Sequence, residues 1–257
     1  MKKRYRYIFI SLIILTCFSS SVAGDDIKIY GNIPPDEYVT GRFNPAKHDR
    51  FVLLSDLGIP TNKWPHRLRR EAAQALAELY AAFRKEHPKA PFWVQSSTRS
   101  FDDQKYIWNS KWTGKTEVNG RNLARAITDP LKRAVEILKY SSMPGTSRHH
   151  WGTDFDLNVL SDEYFEKGEG KALYLWMSRN AHRFGFCQPY PAGRNAGYRE
   201  EKWHWSYAPL ARIFLARWNS FNVNNPRFFM GKDLFLGSDR AGRMAPEYVN
   251  SIDAPCR

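Results

Sequence analysis

"GTSRHHWGTDFDLN" (Gly145–Asn158) places two histidines, two aspartates and two glycines in one short span. Gly145 and Gly152 each weaken a helix. Asp154-Phe155-Asp156-Leu157-Asn158-Val159 instead alternates polar and apolar, as a half-buried strand does. The span therefore reads as a polar turn entering a strand. Three uses compete for it: a metal site, a nucleophile site, or a loop of satisfied polar groups.

A catalytic zinc takes three protein ligands and leaves one position open, with a carboxylate nearby as general base. The span offers His149, His150, Asp154 and Asp156, and "EEKWHWSY" adds Glu200, Glu201 and His204. An extended chain would hold His149 and Asp156 roughly 23 Å apart. Both reach one ion only if the chain doubles back, and Gly152 is the residue able to take that backbone conformation. In "WHWSY", alternation puts Trp203 and Trp205 on one face and His204 on the other, so tryptophans in the core would present the imidazole to a cleft.

H-E-x-x-H is absent. Ser147, His150 and Asp156 have the chemistry of a nucleophile site. However, neither G-x-S-x-G nor S-x-x-K occurs. Spacing puts the metal site first and leaves the other two open.

The chain has 257 residues, enough for one sizeable domain or two small ones. Its 42% hydrophobic and 15% aromatic content argues for a packed core. Lys2, Lys3, Arg4 and Arg6 precede an apolar run, Tyr7 to Phe18, and then Ser21-Val22-Ala23. That is the layout of a secretory signal peptide over residues 1–23, and the run is shorter than the roughly 20 residues of a membrane span. Thr16 before Cys17 disfavours lipidation. We expect an exported, monomeric protein of the periplasm or cell envelope.

Without the signal, Cys187 and Cys256 remain, and an oxidising compartment favours one disulfide pinning the C-terminal tail. Loss of the four signal cations lowers the formal charge from +13 to +9. Such a charge suits an anionic wall polymer. The basic residues are dispersed, so nucleic acid is not an expected partner.

Prolines punctuate an irregular segment over 24–64. A helix is predicted from Pro65 through Leu68, Ala72, Leu76, Leu79 and Phe83, ending before Pro88. A strand follows at Phe92–Ser97, then a helix to Trp112 with Ser100 as cap. Leu123–Lys139 reads as helical but weakened by Pro130. Helices are expected at Gly170–Phe184 and Pro209–Trp218, with a strand at "EKWHWSY" between them. A domain over 65–219 and an irregular tail over 220–257 complete the organisation. The fold class is α+β, a small and mostly antiparallel sheet flanked by helices.

Three ordered elements carry a family resemblance: "SSTRSFDDQ" (Ser96–Gln104), "SRHHWGTDFD" and "EKWHW". Together they resemble the LAS metallopeptidases, specifically VanY-type D-alanyl-D-alanine carboxypeptidases and their L,D-carboxypeptidase relatives. The resemblance implies a zinc enzyme that trims the terminal D-alanine from peptidoglycan stem peptides. It implies His149, Asp156 and His204 as zinc ligands and Glu201 as general base. It implies Arg99 as oxyanion stabiliser, with Ser147 and Gln104 holding the substrate.

Two positions depart from the family pattern. Asp154 replaces a usual small residue and is expected to join the metal, orient a ligand, or face solvent. Lys202 stands where proline is frequent. His150 is read as a hydrogen-bonding neighbour. Stem-peptide endopeptidase activity and a non-catalytic zinc-stabilised wall-binding domain are the alternatives. Retention of Glu201 and Arg99 counts against the second.

Overall fold

The computed structural model describes residues 28–257, so the signal segment expected at 1–23 lies outside the described residues. Among the described residues, no helix is long and apolar enough to cross a membrane.

Short elements occupy part of the stretch expected to be irregular: α1 (Pro35–Val39) and β1 (Phe51–Leu53). β1 pairs antiparallel with β2 (Arg67–Arg69), which displaces the start of the helix expected at Pro65. α2 runs from Arg70 to Glu86. The difference is tertiary: strand pairing holds residues 67–69, and the Arg69 amide donates to Gly152 O at 2.8 Å.

β3 (Val94–Ser96) leads to α3 (Phe101–Trp112). Ser100 caps α3 in a reciprocal box with Asp103, satisfying two otherwise orphan amides. The helical stretch around Pro130 divides into α4 (Leu123–Ala126) and α5 (Pro130–Leu138). Asp129 caps α5 and Pro130 takes its first turn, where a missing amide costs nothing.

There follow β4 (Asp154–Leu157), α6 (Gly168–Asn180), β5 (Phe186–Cys187), β6 (His204–Tyr207) and α7 (Ala208–Asn224). α7 outlasts the helix expected to end at Trp218. The tail is more ordered than expected, with α8 (Ser238–Ala241) and α9 (Ala245–Asn250).

The main sheet has the order β3-β4-β6-β5, with every neighbouring pair antiparallel. Alternation sends Phe155, Leu157 and Trp205 to one face, into a core with Leu76, Leu79 and Phe83 of α2 and Trp176 of α6. The opposite face carries Asp154, Asp156, His204 and Ser206. A second core joins Tyr38, Trp151, Phe214 and Trp218. Trp203 precedes β6 and is only half-buried, so of the expected core pair only Trp205 is fully buried. Cys187 and Cys256 form a disulfide that ties the final turn to β5.

Candidate metal centre

Register makes the site. β4 and β6 pair Asp156 directly with His204 and Asp154 with Ser206, so all four side chains share one face. His149 arrives from the 3₁₀ turn Arg148–Trp151, which ends at Gly152 with φ +72°. A Cβ at Gly152 would lie 2.4 Å from Phe51 Cε1, so glycine meets both the conformational and the steric demand. The turn is clamped by the chain after β3. His149 Nδ1 lies 2.8 Å from Ser97 O, and the Arg99 amide donates to His149 O at 3.2 Å.

Those contacts assign the imidazole nitrogens. With Nδ1–H donated to Ser97 O, His149 turns the Nε2 lone pair inward. His204 Nε2 lies 2.9 Å from Asp154 Oδ2, so its Nδ1 lone pair faces inward too. Ligand atoms of His149, Asp156 and His204 all lie within 4.8 Å of one another. Asp156 Oδ2 is 3.3 Å from His149 Nε2, and Asp156 Oδ1 is 3.1 Å from His204 Nδ1. His149 Nε2 and Asp156 Oδ1 are buried without a hydrogen bond. Lone pairs and a carboxylate aimed at one point repel unless a cation lies among them. The donor set therefore fits a metal ion.

The electrostatics agree. Burial opposes charge on His204, but contacts with Asp154, Asp156 and Glu201 hold its pKa well above the usual imidazole range. Burial likewise opposes ionisation of Asp156, yet His149 and His204 hold it well below the carboxylate range. A proton on His204 thus stands where a metal ion would replace it.

Asp154 is neither a ligand nor solvent-facing. It is fully buried and accepts from Arg148 Nε (3.0 Å), Thr153 Oγ1 (2.6 Å) and Ser206 Oγ (2.8 Å) while orienting His204. Of the three expectations for Asp154, orienting a ligand is the one its contacts fit. Arg148 and Ser206 escaped sequence reading. The available signal for Ser206 was its position two residues beyond His204, on the same strand face.

His150 is fixed away from the centre, with Nδ1 2.7 Å from Arg99 O and Nε2 accepting from the Gly145 amide at 3.0 Å. Burial depresses its pKa to about 3.

Glu201 Oε2 lies 3.4 Å from His204 Nδ1. Burial raises its pKa, and His204 offsets only part of that shift. Glu200 instead lies 3.9 Å from Lys202 Nζ.

A cleft of about 370 Å³ opens over the centre, lined by Arg99, Gln104, Ser147, Glu201 and the three candidate ligands. Burial lowers the Arg99 pKa while Asp156 and Glu201 counter it, and a guanidinium stays charged regardless. Arg99 Nε, Ser147 Oγ and Gln104 Oε1 are buried with no hydrogen-bond partner.

Residues 65–210 match the family model described as VanY, D-alanyl-D-alanine carboxypeptidase. The chain is 28% identical over 119 residues to a D-alanyl-D-alanine carboxypeptidase of Enterococcus faecalis, covering 46% of this chain and 40% of that protein. It is 28% identical over 148 residues to the putative carboxypeptidase YodJ of Bacillus subtilis, covering 54% and 46% respectively. The chain thus spans less than half the length of these curated relatives. A vancomycin-resistance D,D-pentapeptidase, VanY, solved with Zn(II), aligns at 24% identity and TM-score 0.44 over 61% of this chain and 83% of that one. By the family match over most of its length, the chain belongs to the VanY family of D-alanyl-D-alanine carboxypeptidases.

Proposed function

We propose that this protein is an exported zinc carboxypeptidase that removes the terminal D-alanine from peptidoglycan stem peptides. One observation carries the reading: His149 Nε2, Asp156 and His204 Nδ1 converge in a buried cleft with Glu201 beside them. Two imidazoles and one carboxylate suit zinc. When bound, zinc supplies Lewis-acid polarisation of water and of the scissile carbonyl.

Glu201 takes the proton from the attacking water and returns it to the leaving amine. Its raised pKa favours that double role near neutral pH. Arg99 offers a fixed positive charge to the developing oxyanion. The unpartnered Gln104 Oε1 accepts from a substrate N–H, and Ser147 Oγ binds a substrate amide or carboxylate. The domain over 65–219 holds all of these groups. The basic-then-apolar start and the disulfide support export, and we take the enzyme to be a monomer.

The test incubates mature protein with defined muropeptides, with and without a chelator, and weighs the products. Chelator-sensitive loss of one alanine from a pentapeptide assigns D,D-activity, and the same loss from a tetrapeptide assigns L,D-activity. Internal cleavage replaces the carboxypeptidase reading with an endopeptidase one. Zinc bound without any mass change leaves a wall-binding domain.

A further inference from the structure

One wall of the cleft is a face of α3. Gln104, Ile107 and Lys111 fall at helical spacing and all border the cavity. Across from them lies the turn after α5, where Lys111 Nζ donates to Ser141 Oγ at 2.5 Å. Of the other cations lining the cleft, Arg148 pairs with Asp154 at 3.0 Å and Lys139 with Glu136 at 2.5 Å, while the exposed Arg199 donates to Tyr140 Oη at 2.9 Å. Among the described residues, no carboxylate lies within 4.0 Å of Lys111 Nζ.

Burial lowers the Lys111 pKa to about 8, with Arg99 adding to the shift and Glu201 opposing it. An ammonium at that value is still largely charged at neutral pH. Removing a charge from water without a counter-ion is costly, and a serine hydroxyl is not a counter-ion. Arg99 and Lys111 together make one side of the cleft positive, facing the carboxylates of Asp156 and Glu201 on the metal side. A peptide bound across the candidate metal centre shares its cleft with the Lys111 ammonium.

We infer that Lys111, with Ser141, is a specificity-determining subsite that receives a carboxylate of the peptide substrate beside the scissile bond. The inference rests on the carboxypeptidase reading for the identity of the substrate. The carboxylate is either the C-terminus of the leaving residue or a side-chain carboxylate of a neighbouring residue. An ammonium serves both, because it acts as a point charge without a fixed fork geometry.

The experiment uses zinc-loaded mature protein: wild type, Lys111→Met and Lys111→Arg. Each is given a D-alanine-terminated stem peptide, its C-terminally amidated form, and its side-chain-amidated form. Steady-state kinetics are measured on each, and peptide affinity is measured by calorimetry in a Glu201→Gln background. A lost charge-assisted hydrogen bond predicts a KM about tenfold to a hundredfold higher in Lys111→Met, with kcat little changed. Zinc stoichiometry stays the same, and Lys111→Arg recovers most of the loss.

Amidating the partner carboxylate costs wild type a similar factor and costs Lys111→Met nothing further. The position that behaves so names the source. Equal losses on all peptides, or no loss, overturn the subsite. Should Lys111→Met not fold, Lys111→Gln takes its place, and wild type indifferent to both amidations is itself disproof. If wild type turns over no peptide but calorimetry shows affinity set jointly by Lys111 and one carboxylate, the subsite stands and the carboxypeptidase reading falls.

Discussion

His204 Nε2 lies 2.9 Å from Asp154 Oδ2, inside a fully buried cluster that also ties Asp154 to Arg148 and Ser206. That contact decides which nitrogen of His204 faces the metal position. Asp154→Asn should weaken zinc binding about 10–100-fold, the usual cost of removing a ligand's orienting partner. It also leaves the Arg148 guanidinium buried without its charge partner, a loss of about 3–5 kcal/mol. Competitive chelator titration and a denaturant melt read the two effects, and unchanged zinc affinity would reject the orienting role.

Glu201→Gln should keep zinc and lose nearly all turnover, whereas His204→Ala loses both. Zinc stoichiometry beside product mass spectrometry separates them. Full activity in either variant would falsify the assignment.

The acid limb of kcat/KM should lie above the ordinary glutamate range, because burial raises the Glu201 pKa. Activity needs the ionised base, so the rate rises with pH through that limb. A limb at or below an exposed glutamate's value would point to another base.

Buried His150 should make the protein acid-sensitive. Its pKa is about 3 when folded and about 6.5 in an unfolded chain. The unfolded state therefore binds the proton first. Stability is complete above about pH 6.5 and falls by up to about 1.4 kcal/mol per pH unit towards pH 3. Denaturant midpoints taken in chelator across that window should fall less steeply for His150→Asn than for wild type. Equal slopes would mean that His150 is not buried neutral.

Reduction of Cys187–Cys256 should destabilise the domain by about 2–5 kcal/mol, since the bond closes a long loop. The tail should become protease-sensitive while zinc stays bound. Melting and limited proteolysis, with and without reductant, check this.

Much of the centre was legible along the chain. His149, Asp156 and His204 sit in local patterns that put a metal site ahead of its alternatives and that the family resemblance implies as ligands, and Gly152 marked the reversal between two of them. α3 and its Ser100 cap were legible because a capping box is a local contact. The start of α2 was not, because pairing with β1 outweighs the helical spacing of Leu68.

The sequence by itself determined the class of fold and offered the candidate ligand types with a carboxylate, Glu201, three residues before His204, because these lie in short motifs within single segments. Tertiary structure alone decided that Asp154 contacts His204, that His150 is buried and turned away from the centre, and that Lys111 lines the cleft with no carboxylate partner among the described residues. Each of these depends on strand register and burial, which bring together groups as far apart in the chain as Asp154 and His204, or Lys111 and Ser141.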